Sequence, residues 1–219
     1  MHIQHLHLQT SQLQAQHHFY KEVLGLPTTP IKEEKFTIQI GHSQLHFKTA
    51  EQATPYHFAI NIPANKLQEA IAWLEKRVAI QPYQSNKRVN FEAWNAEAVY
   101  FYDKEENIVE LIARKNTQPS IEQPFGVDQW LGISEIGAPT AEVSTLCQCL
   151  LEVLPRYSGD LENFAAIGDE EGLFIIINKD QRKWMPNQDT AFASPFDIQF
   201  QHQDKTSQWH FEEGQFTLK

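Results

Sequence analysis

Cysteine is nearly absent from this sequence, which holds only Cys147 and Cys149 among 219 residues. Small domains that depend on disulfides carry many more cysteines, so a disulfide scaffold is excluded. The two cysteines lie two positions apart in an apolar stretch typical of a helix, where their side chains would point in different directions. Because a C-x-C pair alone is a weak metal signature, both thiols are predicted to pack in or beside the core.

Basic residues are scarce relative to acidic ones. Lys and Arg number 18, Asp and Glu number 28, and the formal net charge is −10. A surface this acidic repels phosphate backbones and anionic lipid, which excludes nucleic acid and membranes as expected partners. No apolar run approaches about 18 residues, and the first residues have neither the basic start nor the apolar stretch of a signal peptide. We therefore expect a cytoplasmic protein.

Histidine, by contrast, is plentiful and unevenly placed. The hydrophobic content of 41% and the charged content of 21% are those of an ordinary globular protein, but eight of the ten histidines precede residue 60. Histidine is the commonest metal ligand in proteins, so the positions of these side chains in the predicted fold matter.

A pattern of elements recurs along the chain. Residues 2–8 alternate as a strand does, an amphipathic helix follows from Thr10 or Ser11 to Gly25, and the runs 36–40 and 44–48 form a hairpin. The pattern repeats with a strand over 56–62, a helix after Asn65, and strands near 89–93, 97–102 and 107–113. A third copy has a strand over 133–138, a helix after Thr140 and a hairpin over 164–177, and two weaker strands follow at 196–201 and 208–218.

These repeats predict an α+β fold of βαβββ modules. Residues 1–115 are expected to form two modules that pair into a half-barrel cup, 116–127 a linker rich in polar residues and proline, and 128–219 a third, degenerate module. Four polar side chains of ligand type would point into the cup from its strands: His5, His46, His57 and Glu110. Because His5 and His57 occupy equivalent places in the two repeats, as do His46 and Glu110, we expect the four to meet at one point. Imidazole and carboxylate together suit Fe²⁺, Mn²⁺, Ni²⁺ or Zn²⁺.

Several segments resemble the vicinal oxygen chelate superfamily, which includes glyoxalases, bleomycin resistance proteins and extradiol dioxygenases. The resemblance rests on residues 3–8, 18–26, 56–60 and 99–111; it covers 1–115 well and 128–180 in outline. The turn at 103–107 departs from it, since it reads Asp-Lys-Glu-Glu-Asn where the family usually has Asp-Pro-Asp-Gly-Asn.

The resemblance implies a divalent metal at His5, His57 and Glu110, and in glyoxalase-type lyases also at His46. It further implies roles for Tyr100, ten residues before Glu110, as a phenol that contacts a catecholate, and for His42 as an acid or base. These two residues favour ring-cleaving dioxygenase chemistry with Fe²⁺, whereas four protein ligands favour a glyoxalase-like lyase or isomerase.

Alternatives remain at the level of single residues and of function. His7 shares a strand face with His5, so either could reach the metal. Glu135 stands where His5 does in the first module, but the predicted third module offers no second ligand, and we expect no site there. A non-enzymatic protein that sequesters a drug or antibiotic is a third functional class, and a small-molecule ligand is the expected partner in every case. The modules can pair within one chain or between two chains, so a monomer and a homodimer both stay open.

Overall fold

The computed structural model describes all residues, 1–219, as two β-sheets and three short helices. The first module contains β1 (His2–Thr10), α1 (Leu13–His18) with a π-helical turn (Phe19–Val23), β2 (Lys35–Ile40) and β3 (Ser43–Thr49). The second contains β4 (His57–Ile62), α2 (Leu67–Leu74), β5 (Ile80–Gln81), β6 (Val89–Phe91), a 3₁₀ turn (Glu92–Trp94), β7 (Ala96–Tyr102) and β8 (Ile108–Arg114).

The C-terminal half adds a complete module and a reduced one. A 3₁₀ turn (Val127–Gln129) leads into β9 (Gly132–Gly137), α3 (Val143–Leu151), β10 (Arg156–Gly159), β11 (Phe164–Asp169) and β12 (Gly172–Ile177). The chain ends in a meander without a helix, β13 (Phe196–His202), β14 (Lys205–Glu212) and β15 (Gln215–Leu218). The third module is therefore complete, contrary to expectation, and the degenerate unit is a fourth one that the sequence analysis described only as weaker strands.

The first two modules do not pair with each other, which corrects the predicted cup. The six-stranded sheet, called sheet A, has the order β15-β14-β13-β1-β3-β2, and the nine-stranded sheet B has the order β10-β11-β12-β9-β4-β8-β7-β5 with β6 beside β7. The opening strand of the first module, β1, pairs antiparallel with β13, and the opening strand of the second, β4, pairs antiparallel with β9. The inner modules thus join in sheet B, and the outer modules join in sheet A.

Alternation along the strands assigns one face of each sheet to a common core. In sheet B, Phe58 and Ile60 of β4 belong to a core of 46 buried residues that also includes residues of sheet A, of α2 and α3, and of the π-helical turn after α1. Ala59, between them, points to the opposite face together with Tyr100 of β7. No helix has the combination of length and apolarity that a membrane crossing requires.

The turn between β2 and β3 joins the two sheets. Gly41 has φ +52°, and a Cβ there would lie 1.9 Å from the carbonyl oxygen of Leu131, so only glycine fits this approach. The amide of His42 donates a hydrogen bond to the same carbonyl at 3.1 Å. This contact fixes the hairpin of the first module against the start of β9.

The start of α1 is held by a distant carboxylate in addition to the nearby Thr10, whose Oγ1 accepts a hydrogen bond from the amide of Gln12 at 3.0 Å. The side chain of Gln12, the N-cap residue, does not cap the helix. Instead Glu105, in the turn that departs from the family pattern, accepts hydrogen bonds from the amides of Ser11 and Gln12 at 3.0 and 3.1 Å. The neighbouring Glu106 has φ +61° at the position where the family usually has glycine.

Candidate metal sites

A small cavity lies on the face of sheet B opposite the common core. Its volume is about 260 Å³. Its walls are mainly aromatic and aliphatic, and its polar residues come from the strands and from the loop after β12. The residues that line the cavity are His57, Phe91, Trp94, Tyr100, Glu110, Glu135, Phe164, Ile175, Ile177, Arg182, Lys183, Trp184 and Met185.

Three buried donor groups meet in this cavity. His57 opens β4, Glu110 lies on the adjacent β8, and Glu135 lies on β9 at the other side of β4. Ala59 is the register partner of both glutamates, so the two carboxylates flank a methyl group. The Nε2 of His57 is 3.6 Å from Oε2 of Glu110, and the ligand atoms of all three residues lie within 4.8 Å of one another. One imidazole and two carboxylates this close together could hold a single cation.

The hydrogen bonds made by these three side chains leave Nε2 of His57 and Oε1 of Glu110 free to bind a metal. Nδ1 of His57 lies 3.3 Å from the carbonyl oxygen of Ile108, so an Nδ1–H donated there leaves the Nε2 lone pair for a metal. Arg114 donates to Glu135, and its Nε donates to Oδ1 of Asn61 at 3.2 Å. Oε1 of Glu110 is buried and has no hydrogen-bond partner.

Burial sets the protonation of these groups. It raises the pKa of Glu110 well above its ordinary value, and the adjacent Glu135 carboxylate raises that pKa further. Burial also raises the pKa of Glu135, although Arg114 opposes this shift. Burial lowers the pKa of His57 from 6.5 to about 4, so the imidazole is neutral at pH 7. Two carboxylates face one arginine here, and a divalent cation would supply the missing positive charge.

His5 and His46 lie elsewhere, so the predicted set of four ligands does not form. Because β1 and β4 belong to different sheets, the equivalence of His5 and His57 along the sequence does not bring them together. His5 and His46 instead meet with His7 on the face of sheet A that points away from the core. The structure thus separates the predicted ligands into two groups, His57 with Glu110 and His5 with His46.

The group on sheet A contains three imidazoles. Nδ1 of His5 lies 3.1 Å from Nε2 of His46, and the rings of His7 and His46 stack with their centroids 4.1 Å apart. Burial lowers the pKa of His46 to about 4, and the electrostatic effect of His7, His5 and Lys35 acts in the same direction. His7 and His46 line a groove of about 850 Å³.

The two predicted catalytic residues are also separated. Tyr100 lies opposite Glu110 in the register of β7 and β8 and lines the cavity, where burial and then Glu110 raise its pKa well above the ordinary value. His42 lies in the turn between β2 and β3, beside His2 and Gly132, and does not line this cavity.

Sequence reasoning missed Glu135 and Arg114 as members of the buried group. The signal for Glu135 was its place on an opening strand, equivalent to that of His5, but its companions were sought within its own module. They come from the second module, through the pairing of β9 with β4.

Comparisons with known proteins show the fold. No protein-family model matches the sequence, and no curated protein matches it. A solved structure described as a "putative dioxygenase" from Bacillus subtilis has 18% identity and a TM-score of 0.57, over 81% of this chain and 63% of that one. This chain therefore spans 63% of the length of that protein.

Shorter proteins match about half of the chain. A glyoxalase/bleomycin resistance protein/dioxygenase from Nocardioides has 18% identity and a TM-score of 0.44 over 56% of this chain and 90% of its own. A lactoylglutathione lyase from Agrobacterium tumefaciens has 17% identity and a TM-score of 0.43 over 50% and 90%. The likeness to the Bacillus subtilis structure, at 18% identity, concerns the fold alone, and the α+β fold class expected from the sequence is confirmed.

Proposed function

We propose that this chain, which has the vicinal oxygen chelate fold, is a metal-dependent enzyme that acts on a small molecule in the cavity around His57, Glu110 and Glu135. One observation carries the proposal: Oε1 of Glu110 is buried without a partner beside a second buried carboxylate. Buried carboxylates are costly unless they are paired or bind a metal, and Arg114 pairs with Glu135 only.

The donor set favours a divalent ion that accepts both nitrogen and oxygen ligands. One imidazole and two carboxylates suit Mn²⁺, Fe²⁺, Zn²⁺ or Ni²⁺. Such an ion, when bound, would act as a Lewis acid toward an oxygen atom of the substrate. His57 is oriented for this role by the carbonyl of Ile108, and Glu135 is held by Arg114.

The protein groups around the donors can move a proton. Glu110 lines the cavity, and with a metal bound its side chain would be the ionised carboxylate that serves as a ligand. The phenol of Tyr100 lies across from it and can donate to the carboxylate or to a substrate oxygen.

The walls of the cavity define a class of substrate. Phe91, Trp94, Phe164 and Trp184 offer flat apolar surfaces, and Arg182 and Lys183 add positive charge. A volume of about 260 Å³ is at the small end for ligand pockets. We expect a compact, planar molecule with oxygen donors and a negative charge.

The ligand set bears on the choice between reactions. A ring-cleaving dioxygenase would use two imidazoles and one carboxylate, whereas this cavity has one imidazole and two carboxylates. This difference favours a lyase or isomerase in which the metal polarises the substrate. Tyr100, beside Glu110, is the observation that keeps ring cleavage as the second candidate.

Metal content tests the proposal directly. The protein is purified without a His-tag under anaerobic conditions, reconstituted with Mn²⁺ or Fe²⁺, and compared with Glu110→Gln and Glu135→Gln. Loss of one metal equivalent in each variant is expected, because each removes a charged ligand. Glu170→Gln is the matched control, since Glu170 is a buried carboxylate whose oxygens already bond to Asn116, Thr117 and Tyr157.

A substitution at Ala59 tests the geometry of the site while it leaves all three ligands in place. Ala59→Val adds bulk between the two carboxylates without removing a donor and should lower metal affinity at least about tenfold, whereas Ala59→Gly should retain the metal. Oxygen uptake with a catechol distinguishes ring cleavage from oxygen-independent lyase chemistry. If neither the wild type nor either glutamate variant contains metal after reconstitution, the enzyme proposal would be overturned and a small-molecule binding protein would be left.

A further inference from the structure

Three histidines converge on the solvent side of sheet A, remote in topology from the buried cavity. His7 of β1 and His46 of β3 are direct register partners, and His5 lies two residues before His7 on the same face. Their ligand atoms lie within 4.8 Å of one another. We call these three residues the histidine cluster.

One pair of nitrogens in the cluster already has nearly the spacing found in a metal site. Two nitrogens bound to a tetrahedral ion at about 2.0–2.1 Å are separated by about 3.3 Å. Nδ1 of His5 and Nε2 of His46 lie 3.1 Å apart. An ion could therefore replace the His5–His46 hydrogen bond with a small movement of the rings.

The backbone and a neighbouring hydroxyl orient the cluster. The cluster residues lie on adjacent parallel strands in the middle of a six-stranded sheet, which fixes their Cβ positions. Oγ1 of Thr37, the register partner of His46 on β2, lies 2.8 Å from Nδ1 of His46. This contact occupies Nδ1 and directs Nε2 toward His5, as outer hydrogen bonds do for metal-bound histidines.

The cluster is accessible from solvent. His7 is exposed, His5 and His46 are half-buried, and His7 and His46 line the groove of about 850 Å³. Asp197 of β13 lies opposite His7 and is itself paired with Lys219 and His210, whereas Lys35 lies near His46. An ion held by the three imidazoles would keep open positions toward the groove.

We propose that His5, His7 and His46 form a second metal site, independent of the buried one, for a divalent ion that prefers nitrogen ligands, such as Zn²⁺, Ni²⁺, Co²⁺ or Cu²⁺. All three ligands come from the first module, and none is a carboxylate. The buried site contains two carboxylates and accepts oxygen-preferring ions such as Mn²⁺. The chain would thus hold two sites that differ in chemistry as well as in position.

Stoichiometry in calorimetric titrations tests this proposal. The wild-type chain should bind two equivalents of Zn²⁺ and His46→Gln one. Glutamine is a suitable replacement, because the same face of sheet A already carries Gln44 and Gln199 beside His5. The matched control is the double variant His17→Gln/His18→Gln, which removes two neighbouring helix histidines and should leave the stoichiometry unchanged.

Cobalt gives a readout that a change in folding would not mimic. Co²⁺ bound to three imidazoles should produce a visible absorption that is lost in His46→Gln and in His7→Gln but persists in a Glu110→Gln/Glu135→Gln variant. If the buried site binds no metal and the histidine cluster does, the wild type and the double glutamate variant will each bind one equivalent of metal. The His46→Gln variant will then bind none. Unchanged stoichiometry and an unchanged cobalt spectrum in both histidine variants would overturn the second site.

Discussion

His57 and Glu110 are neighbours whose buried environment shifts their pKa values in opposite directions. Burial lowers the pKa of His57 and raises that of Glu110, since in each case the neutral form avoids the cost of a buried charge. The metal-free protein therefore has an imidazole that is neutral at pH 7 beside a carboxyl group whose pKa is raised. Each shift links the stability of the metal-free protein to pH.

For His57, stability should be lost on acidification. The unfolded imidazole titrates near 6.5 and the folded one near 4, so the contribution is fully present above pH 6.5 and lost as the pH falls toward 4. A shift of this size corresponds to on the order of 3 kcal/mol. The unfolding free energy of the metal-free protein is measured by denaturant titration at pH 7 and at pH 4. Between these two pH values the His57→Gln variant should lose less unfolding free energy than the wild type, by on the order of 3 kcal/mol.

Glu110→Gln provides the mirror experiment. The pKa of Glu110 in the folded protein lies above the ordinary value of 4.5. The contribution of Glu110 to the stability of the wild type is therefore present below pH 4.5 and lost as the pH rises. The metal-free Glu110→Gln variant should therefore gain stability over the wild type between pH 5 and pH 8. Parallel pH profiles for the wild type and both variants would contradict the shifts of His57 and Glu110.

At the scale of elements, two tight turns hold the modules together. In the β2–β3 turn, Gly41 approaches Leu131 so closely that no side chain fits. In the β7–β8 turn, Glu105 holds the start of α1 in the first module. Both contacts join the first module to sheet B, so they help to fix the position of sheet A relative to the buried cavity.

The close approach at Gly41 predicts a large penalty for a small change. Gly41→Ala combines a positive φ with a clash against backbone atoms and should cost about 2–4 kcal/mol of unfolding free energy. Gly126→Ala is the control, because its added Cβ would lie 3.6 Å from the nearest atom and its φ is extended. We expect Gly126→Ala to change stability by less than about 0.5 kcal/mol in the same denaturant titration.

At the scale of the whole molecule, strand pairing nests the modules. The outer pair forms around β1 and β13, and the inner pair forms around β4 and β9. A fragment of residues 1–127 contains both modules that the sequence predicts to pair, yet both of its opening strands lack their antiparallel partners. We expect this fragment to unfold without a cooperative transition, as measured by circular dichroism during denaturation. A cooperative, monomeric fragment would instead support the domain division predicted from the sequence.

Local pattern was enough to predict the elements but not their partners. The alternation of residues 36–40 and 44–48 predicted a hairpin that the structure has at Lys35–Ile40 and Ser43–Thr49. The sequence also placed His57 on a strand, and the structure has it at the start of β4. Local pattern contains no information on which opening strand lies beside which. The grouping of Glu135 with Glu110 depends on that choice, and so it could not be derived.

The nested pairing has a consequence for the order of events during synthesis. Strands β4 to β12 are contiguous in the chain, so sheet B can assemble while later residues are still being made. Sheet A must wait, because β13 joins β1 across nearly the full length of the sequence. Until that late closure, the antiparallel edge of β1 is open to strands of other chains, and a growing chain depends on its last strands to end that exposure.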